Sequence, residues 1–234
     1  MKKPVALLFD VFGTCVDWRG SVAREVAAVA IAKGKRFDFF AFADAWRANY
    51  QPSMEVVRAG RRPYAPLDTL HRETLLTLLD KFELALSEPE IDDLNRAWHR
   101  LTPWPDTVEG LDRLKTRYLL SPLSNGNVRL LVDLARHAKL PWDAVLSTEV
   151  FKAYKPQPQT YLGACELFAC APGEVMMVAA HNNDLLAAQK LGLQTAFVPR
   201  PTEYGPHQKV DFAPEGEWTL VARDFVHLAE SLGV

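Results

Sequence analysis

Val5-Ala6-Leu7-Leu8-Phe9-Asp10-Val11-Phe12-Gly13-Thr14 is the stretch from which the rest of the chain is read. Val5 to Phe9 is a short apolar run closed by Asp10 and Gly13, the length and punctuation of a strand buried on both faces. Three later segments repeat the pattern: Tyr118–Leu123, Val175–Ala180 and Gln194–Val198. Amphipathic helices lie between them. One is marked by Val108, Leu111 and Leu114, entered through Asp106 with Glu109 three residues on. A second carries Leu130, Leu131, Leu134 and Ala138, and a third carries Leu185, Ala188 and Leu191 before Gly192. Strands alternating with helices of this length imply a parallel sheet covered on both faces.

The stretch from Ser21 to Leu101 breaks that alternation. Helical patterns follow one another there: Val22/Val26/Val29, then Phe39 to Arg58 with an interruption expected near Pro52, then Leu67/Leu70/Leu75/Leu78/Phe82. A last one starts at Ser87, whose spacing to Glu90 is that of a capping box, and carries Ile91, Leu94, Trp98 and Leu101. The organisation expected is an α/β core of residues 1–17 and 102–234, with a helical segment, 18–101, inserted after the first strand. Residues 61–66, Arg-Arg-Pro-Tyr-Ala-Pro, are the expected long loop of the insert.

Composition narrows the function class. Of 234 residues, 48% are hydrophobic and 24% charged, the balance of an ordinary globular protein. Lys plus Arg number 27 against 29 Asp plus Glu, so there is no basic excess of the kind a nucleic-acid binder shows. Cys15, Cys165 and Cys170 are odd in number and lack zinc spacing, which points to free thiols in a reducing compartment. The apolar run at the start is too short for a secretory signal, and no run is long enough to span a membrane. A cytoplasmic protein with no nucleic-acid or membrane partner is expected.

In open α/β sheets, ligands bind at the carboxyl ends of the strands. Those ends carry Asp10, then Ser124-Asn125-Gly126-Asn127, and later Lys155-Pro156 and His181-Asn182-Asn183-Asp184. An aspartate or a Ser-Asn-Gly alone is most often only a turn. Four polar clusters in succession are expected to converge on one rim.

Phe9-Asp10-Val11-Phe12-Gly13-Thr14 resembles the first motif of the haloacid dehalogenase superfamily, hydrolases with an aspartate nucleophile. Ser124-Asn125 is similar to the second motif, Lys155-Pro156 to the third, and Asp184 falls at the acidic position of the fourth. The resemblance covers essentially the whole chain. It implies a Rossmann-like parallel sheet with an inserted helical cap domain over residues 18–101. The similarity is greatest to the L-2-haloacid dehalogenases, because of position 12. Phosphatases of the superfamily place there a second aspartate that protonates an alkoxide leaving group. Here it is Phe12, which has no proton to give. Halide leaves as a weakly basic anion and needs none.

The resemblance implies covalent catalysis on short-chain halogenated carboxylates. Asp10 attacks the halogen-bearing carbon with inversion, and water then attacks the carbonyl of the aspartyl ester. Lys155 holds Asp10 ionised and oriented; Asp184 orients Lys155 and helps activate the water; Thr14 hydrogen-bonds beside the nucleophile. Ser124 and Asn125 bind the substrate carboxylate, with Asn125 also near the halide. Trp46-Arg47 resembles the family segment whose arginine meets the halide; the competing reading is a solvated helix residue. Tyr161 matches an active-site tyrosine, and otherwise reads as a core helix residue. The family's usual serine and asparagine before the fourth-motif acid are here Ala179 and His181, and its usual motif-one tyrosine is Phe12. His181 either supplies the missing contact or caps the following helix.

No cofactor and no metal is implied by the dehalogenase resemblance. A phosphatase of the same superfamily competes with it, and only that function would bring in Mg2+. Hydrolysis of another carbon–heteroatom bond also competes, as does a catalytically silent scaffold that binds carboxylates. The remaining tryptophans (18, 98, 104, 142 and 218) read as packing residues, and His71, His99 and His137 are not expected to ligate metal. Glu203-Tyr204-Gly205-Pro206 reads as a surface turn near the site rim, a candidate contact of a homodimer.

Overall fold

The computed structural model describes residues 3–234; Met1 and Lys2, which the expected core segment 1–17 includes, lie outside the described residues. Strand β1 (Ala6–Phe9) is followed by β2 (Val16–Asp17) and five helices: α1 (Trp18–Ala32), α2 (Phe39–Ala48), α3 (Tyr50–Arg58), α4 (Leu67–Lys81) and α5 (Glu88–Asn95). After β3 (Thr102–Pro103) the chain alternates: α6 (Thr107–Lys115), β4 (Leu119–Ser124), α7 (Val128–Ala138), β5 (Leu146–Ser147), α8 (Pro158–Leu167), β6 (Val175–Ala179) and α9 (Asn182–Lys190). Strands β7 (Gln194–Phe197) and β8 (Leu220–Val221) and helix α10 (Phe225–Leu232) complete it.

The sheet has the order β5-β4-β1-β6-β7-β8, and every neighbouring pair is parallel. The chain runs outward from β1 to one edge and returns to fill the other side, so its topological switch lies beside β1. The α/β expectation therefore holds, with the four expected strands ending within a residue of their predicted places and the short edge strands β5 and β8 added to them. Burial on both faces is visible in β1 itself: Leu7 and Phe9 enter one hydrophobic cluster while Ala6 and Leu8 enter the other. The register sets Phe9 beside Pro122 of β4 and Val178 of β6. Residues just past those strands, Asp10, Asn125 and His181, thus emerge together.

The helical segment leaves and rejoins the sheet through the antiparallel pair β2–β3, with Val16 opposite Pro103 and Asp17 opposite Thr102. Asp17 also caps α1, accepting the Gly20 N–H at 2.8 Å. The interruption expected near Pro52 falls instead at Asn49, between α2 and α3. Pro52 sits in the first turn of α3, where its missing N–H leaves no helical bond unmade. The Ser87–Glu90 pair acts as expected: the Glu90 carboxylate accepts from both the N–H and the hydroxyl of Ser87 at 2.8 Å. The expected loop, 61–66, is irregular, and the connection begins two residues earlier, at 59.

Asp106 occupies the N-cap position of α6 but makes no cap bond to it. Its carboxylate instead takes the N-terminal N–H of α10, from Phe225 at 2.8 Å, and pairs with the Arg200 guanidinium at 2.6 and 2.9 Å. That arginine also donates to the Thr14 carbonyl at 2.9 Å, bracing the loop after β1. The five insert helices do not form a separate apolar unit. One buried cluster joins Phe42, Trp46 and Leu75 of the insert to Phe9, Val11 and Leu111 of the sheet layer. Among the described residues no helix is long and apolar enough to cross a membrane.

Candidate active site

Asp10 follows β1 directly and is anchored by its N–H to the Val178 carbonyl at 3.0 Å. The loop then turns at Gly13 (φ +86°) and brings Thr14 back beside it. Thr14 Oγ1 accepts the Ala180 N–H at 2.9 Å, so its hydrogen is directed to Asp10 Oδ2 at 2.8 Å. On the other carboxylate oxygen, Lys155 Nζ donates to Asp10 Oδ1 at 2.9 Å and also to Asp184 Oδ2. The Lys155 backbone is held by Asn125, whose Oδ1 accepts its N–H at 2.8 Å, leaving the Asn125 amide Nδ2 as the end available to an anion. Asp184 lies in the first turn of α9, where the helix N-terminus favours its charge, and accepts the Tyr161 hydroxyl on Oδ1.

His181 stands at the N-cap position of α9 and makes no cap bond. Its Nδ1 lies 3.0 Å from Asp10 Oδ2, and its Nε2 lies 3.0 Å from Glu203 Oε2. His181 thus contacts Asp10 and does not cap the helix. Arg47, on α2, is not a solvated residue. Its guanidinium stacks 4.1 Å from the Tyr50 ring centroid, Nη2 is 4.0 Å from Glu203 Oε1, and Nη1 is buried without a hydrogen-bond partner among the described residues. Tyr161 is both a core residue and a site residue, fully buried with its hydroxyl on Asp184.

These groups surround a cavity of about 210 Å3, lined by Asp10, Phe12, Arg47, Asn125, Lys155 and His181 among others. Phe12 forms an apolar wall, its ring packed edge-on to Trp98 and Tyr50 of the insert. The insert is pinned above the lysine by Arg58 Nη1, which donates to the Lys155 carbonyl at 2.9 Å, and by Tyr154, which donates to the Ala65 carbonyl at 2.6 Å.

Two expectations need correction. Ser124 does not line the cavity; it is fully buried, with its Oγ accepting the Gly126 N–H at 3.3 Å. It is the last residue of β4, and side chains alternate across a strand, so the next residue, Asn125, takes the cavity-facing place. The turn at Glu203-Tyr204-Gly205-Pro206 is a turn, with Gly205 at φ +87°, but Glu203 is not on the surface. Its side chain has no exposed area and accepts the Trp18 Nε1–H at 3.0 Å as well as His181. Gly13 makes room for it, since a Cβ there would lie 2.1 Å from Glu203 Oε1. No local signal marks Glu203; the absence of a side chain at Gly13 is its only trace in the sequence.

Asp10, Asp184 and Glu203 thus face Lys155, His181 and Arg47, three anions against three cations. Burial alone would raise the Asp10 carboxyl, but the Lys155 charge and the His181 contact outweigh it and hold Asp10 well below the usual carboxylate range. Burial opposes charge on Lys155 too, and Asp10 and Asp184 overcome it, raising the ammonium. His181 is raised well above an ordinary imidazole by Glu203 and Asp10 against the same penalty. Asp184 shifts upward, because burial and the neighbouring Asp10 charge outweigh the pull of Lys155. The nucleophile candidate is therefore ionised and the lysine beside it charged.

A family model for the haloacid dehalogenase-like hydrolases matches residues 5–192. The chain belongs to this family. Within it, the chain groups with the L-2-haloacid dehalogenases. It is 32% identical over 215 residues to (S)-2-haloacid dehalogenase 4A of Burkholderia cepacia, covering 89% of this chain and 87% of the relative. The solved structure of a defluorinating L-2-haloacid dehalogenase superposes with a TM-score of 0.97 at 48% identity, over 99% of this chain and 96% of that one. The L-2-haloacid dehalogenase of Xanthobacter autotrophicus, solved with chloropropionic acid covalently bound, superposes with a TM-score of 0.79 at 26% identity over 97% of each chain.

Proposed function

We propose that this dehalogenase-family chain hydrolyses short-chain 2-haloacids, such as fluoro-, chloro- and bromoacetate and L-2-chloropropionate, to 2-hydroxy acids through an aspartyl ester on Asp10. The observation that carries the reading is the apolar wall that Phe12 gives the cavity. Phe12, buried and packed on Trp98, stands where a phosphoryl-transfer site needs a proton donor for its leaving group. Lacking a general acid costs about 10²–10⁴-fold in rate for a basic leaving group and nothing for halide. The relatives named above, one of them carrying a covalently bound chloropropionate, support the same chemistry.

In the first step the ionised Asp10 attacks the carbon bearing halogen from the side opposite the halide, which departs with the bonding pair. Arg47, whose Nη1 has no acceptor among the described residues, is read as the cation that meets that anion, and the Asn125 amide as the donor for the substrate carboxylate. In the second step water adds to the ester carbonyl and the 2-hydroxy acid departs. The donor set does not suit Mg2+. The space between Asp10 and Asp184 is bridged by the Lys155 ammonium, and the other Asp10 oxygen is taken by Thr14 and His181. The reaction is therefore read as metal-independent.

The test is halide release from fluoro-, chloro- and bromoacetate and from both 2-chloropropionate enantiomers, measured with ion-selective electrodes in the presence of a chelator. Release of halide with chelator present, selective for the L enantiomer, is expected. Silence toward every haloacid, with Mg2+-dependent phosphate release from phosphomonoesters, would overturn the reading.

A further inference from the structure

The two oxygens of Asp10 are not equivalent. Oδ2 receives the Thr14 hydroxyl at 2.8 Å and His181 Nδ1 at 3.0 Å, whereas Oδ1, among the described residues, receives only Lys155, at 2.9 Å. A carboxylate oxygen offers about two lone-pair directions. Both are used at Oδ2 and one is free at Oδ1, so Oδ1 is the oxygen able to attack carbon. Oδ2 then becomes the carbonyl oxygen of the ester, already sitting between two donors.

His181 has a carboxylate on each ring nitrogen, Asp10 on Nδ1 and Glu203 on Nε2. Only the protonated ring has two N–H donors to satisfy both. We infer that His181, kept cationic and aimed by Glu203, works with Thr14 as the oxyanion pocket for hydrolysis of the Asp10 ester, with Glu203 as its positioning residue. This rests on the ester chemistry proposed above. Alkylation of Asp10 erases one of the two counter-charges of the imidazolium just before the oxyanion forms. Glu203, whose side chain is wholly buried and also takes the Trp18 indole N–H, is the counter-charge that persists.

Water adds its oxygen to Cγ of the ester and gives a proton to Asp184, while the carbonyl π pair moves onto Oδ2. There the oxyanion accepts from His181 Nδ1–H and Thr14 O–H. It collapses by breaking Cγ–Oδ1, and the alkoxide leaves as the 2-hydroxy acid with a proton from Lys155. Asp184 returns its proton to Lys155, and the Asp10 carboxylic acid left by the collapse, one oxygen of which came from water, releases the remaining water proton to solvent and is a carboxylate again.

Glu203→Gln tests this in a quenched-flow experiment with chloroacetate, following chloride release and, by intact mass, the carboxymethyl ester on the enzyme. The expected result is a chloride burst close to one equivalent at a near-normal rate. A steady state slowed by about 10²–10³-fold should follow, the range for loss of an oxyanion donor, with the ester accumulating on Asp10. His181→Gln should show the same partition, and it carries the test if the Glu203 variant does not fold. Glu203→Asp, which restores the charge, should recover part of the hydrolysis rate. Equal slowing of burst and steady state without ester, or no slowing at all, would overturn the role of the pair. Wild-type protein that releases no halide from any haloacid would instead remove the carbon–halogen reading itself.

Discussion

Asp10→Asn should abolish halide release, by about 10⁴-fold or more, the scale on which removing a covalent nucleophile acts, while leaving the protein folded. Asparagine keeps the volume of the side chain and can still accept from Lys155 at the Oδ1 place. Its amide cannot displace halide, because the neutral oxygen has lost the charge that Lys155 and His181 stabilise. The fold should survive because Asp10 is one member of an array in which Lys155 keeps Asp184 and His181 keeps Glu203. The sign of the stability effect follows from the depressed Asp10 carboxyl. Its contribution is complete above the ordinary carboxylate pKa and is lost as pH falls through the lowered folded value, so wild type and variant should converge in strong acid. Electrode assays and thermal melts across pH measure both effects. Full activity in the variant would remove Asp10 as the nucleophile.

Lys155→Met should injure both activity and folding. The ammonium is the shared partner of Asp10 and Asp184, all three of them largely buried. Removing one partner of a buried charge network costs about 3–5 kcal/mol, because the remaining charges are left uncompensated. For a chain of this size each kcal/mol shifts the melting midpoint by about 2–4 °C. Without the lysine, two neighbouring carboxylates cannot both stay ionised, and one must take up a proton. Halide release should therefore fall by about 10³-fold or more through loss of the ionised nucleophile and its orientation. Here the folded carboxyl pKa is raised above the unfolded value, so stability should recover as pH falls, opposite to wild type. A variant with unchanged melting temperature and pH response would show that the ammonium does not hold this pair.

The sheet and the three charged residues at its rim are legible in the sequence because a buried parallel strand carries its own punctuation. Val5 to Phe9 ends at Asp10, and the registers of β4 and β6 then deliver Asn125 and His181 to the same edge. Asp184 follows for the same reason, shortly after β6, whereas Lys155 lies well past the end of β5 and is legible through the resemblance of Lys155-Pro156 to the third motif. Ser124 departs from expectation by one residue at a strand end, enough to turn its side chain from cavity to interior. Glu203 escapes a sequence reading because the connection from 198 to 219 is irregular and carries no period that fixes its path. What places it is a long-range fit, a carboxylate against Gly13 and Trp18. Arg47 is placed in the site by resemblance alone. Its stacking on Tyr50 depends on the break at Asn49, which the pattern around Pro52 sets about a turn too late.

The most direct measurement is a single turnover in ¹⁸O-water with enzyme in excess over L-2-chloropropionate, followed by mass analysis of product and of the Asp10 peptide. Attack by Asp10 requires the hydroxyl oxygen of the first 2-hydroxypropionate to come from the carboxylate, so the product should be unlabelled at the hydroxyl and the label should appear in Asp10. A labelled hydroxyl with an unlabelled Asp10 would mean that water attacks the carbon itself and that no ester forms.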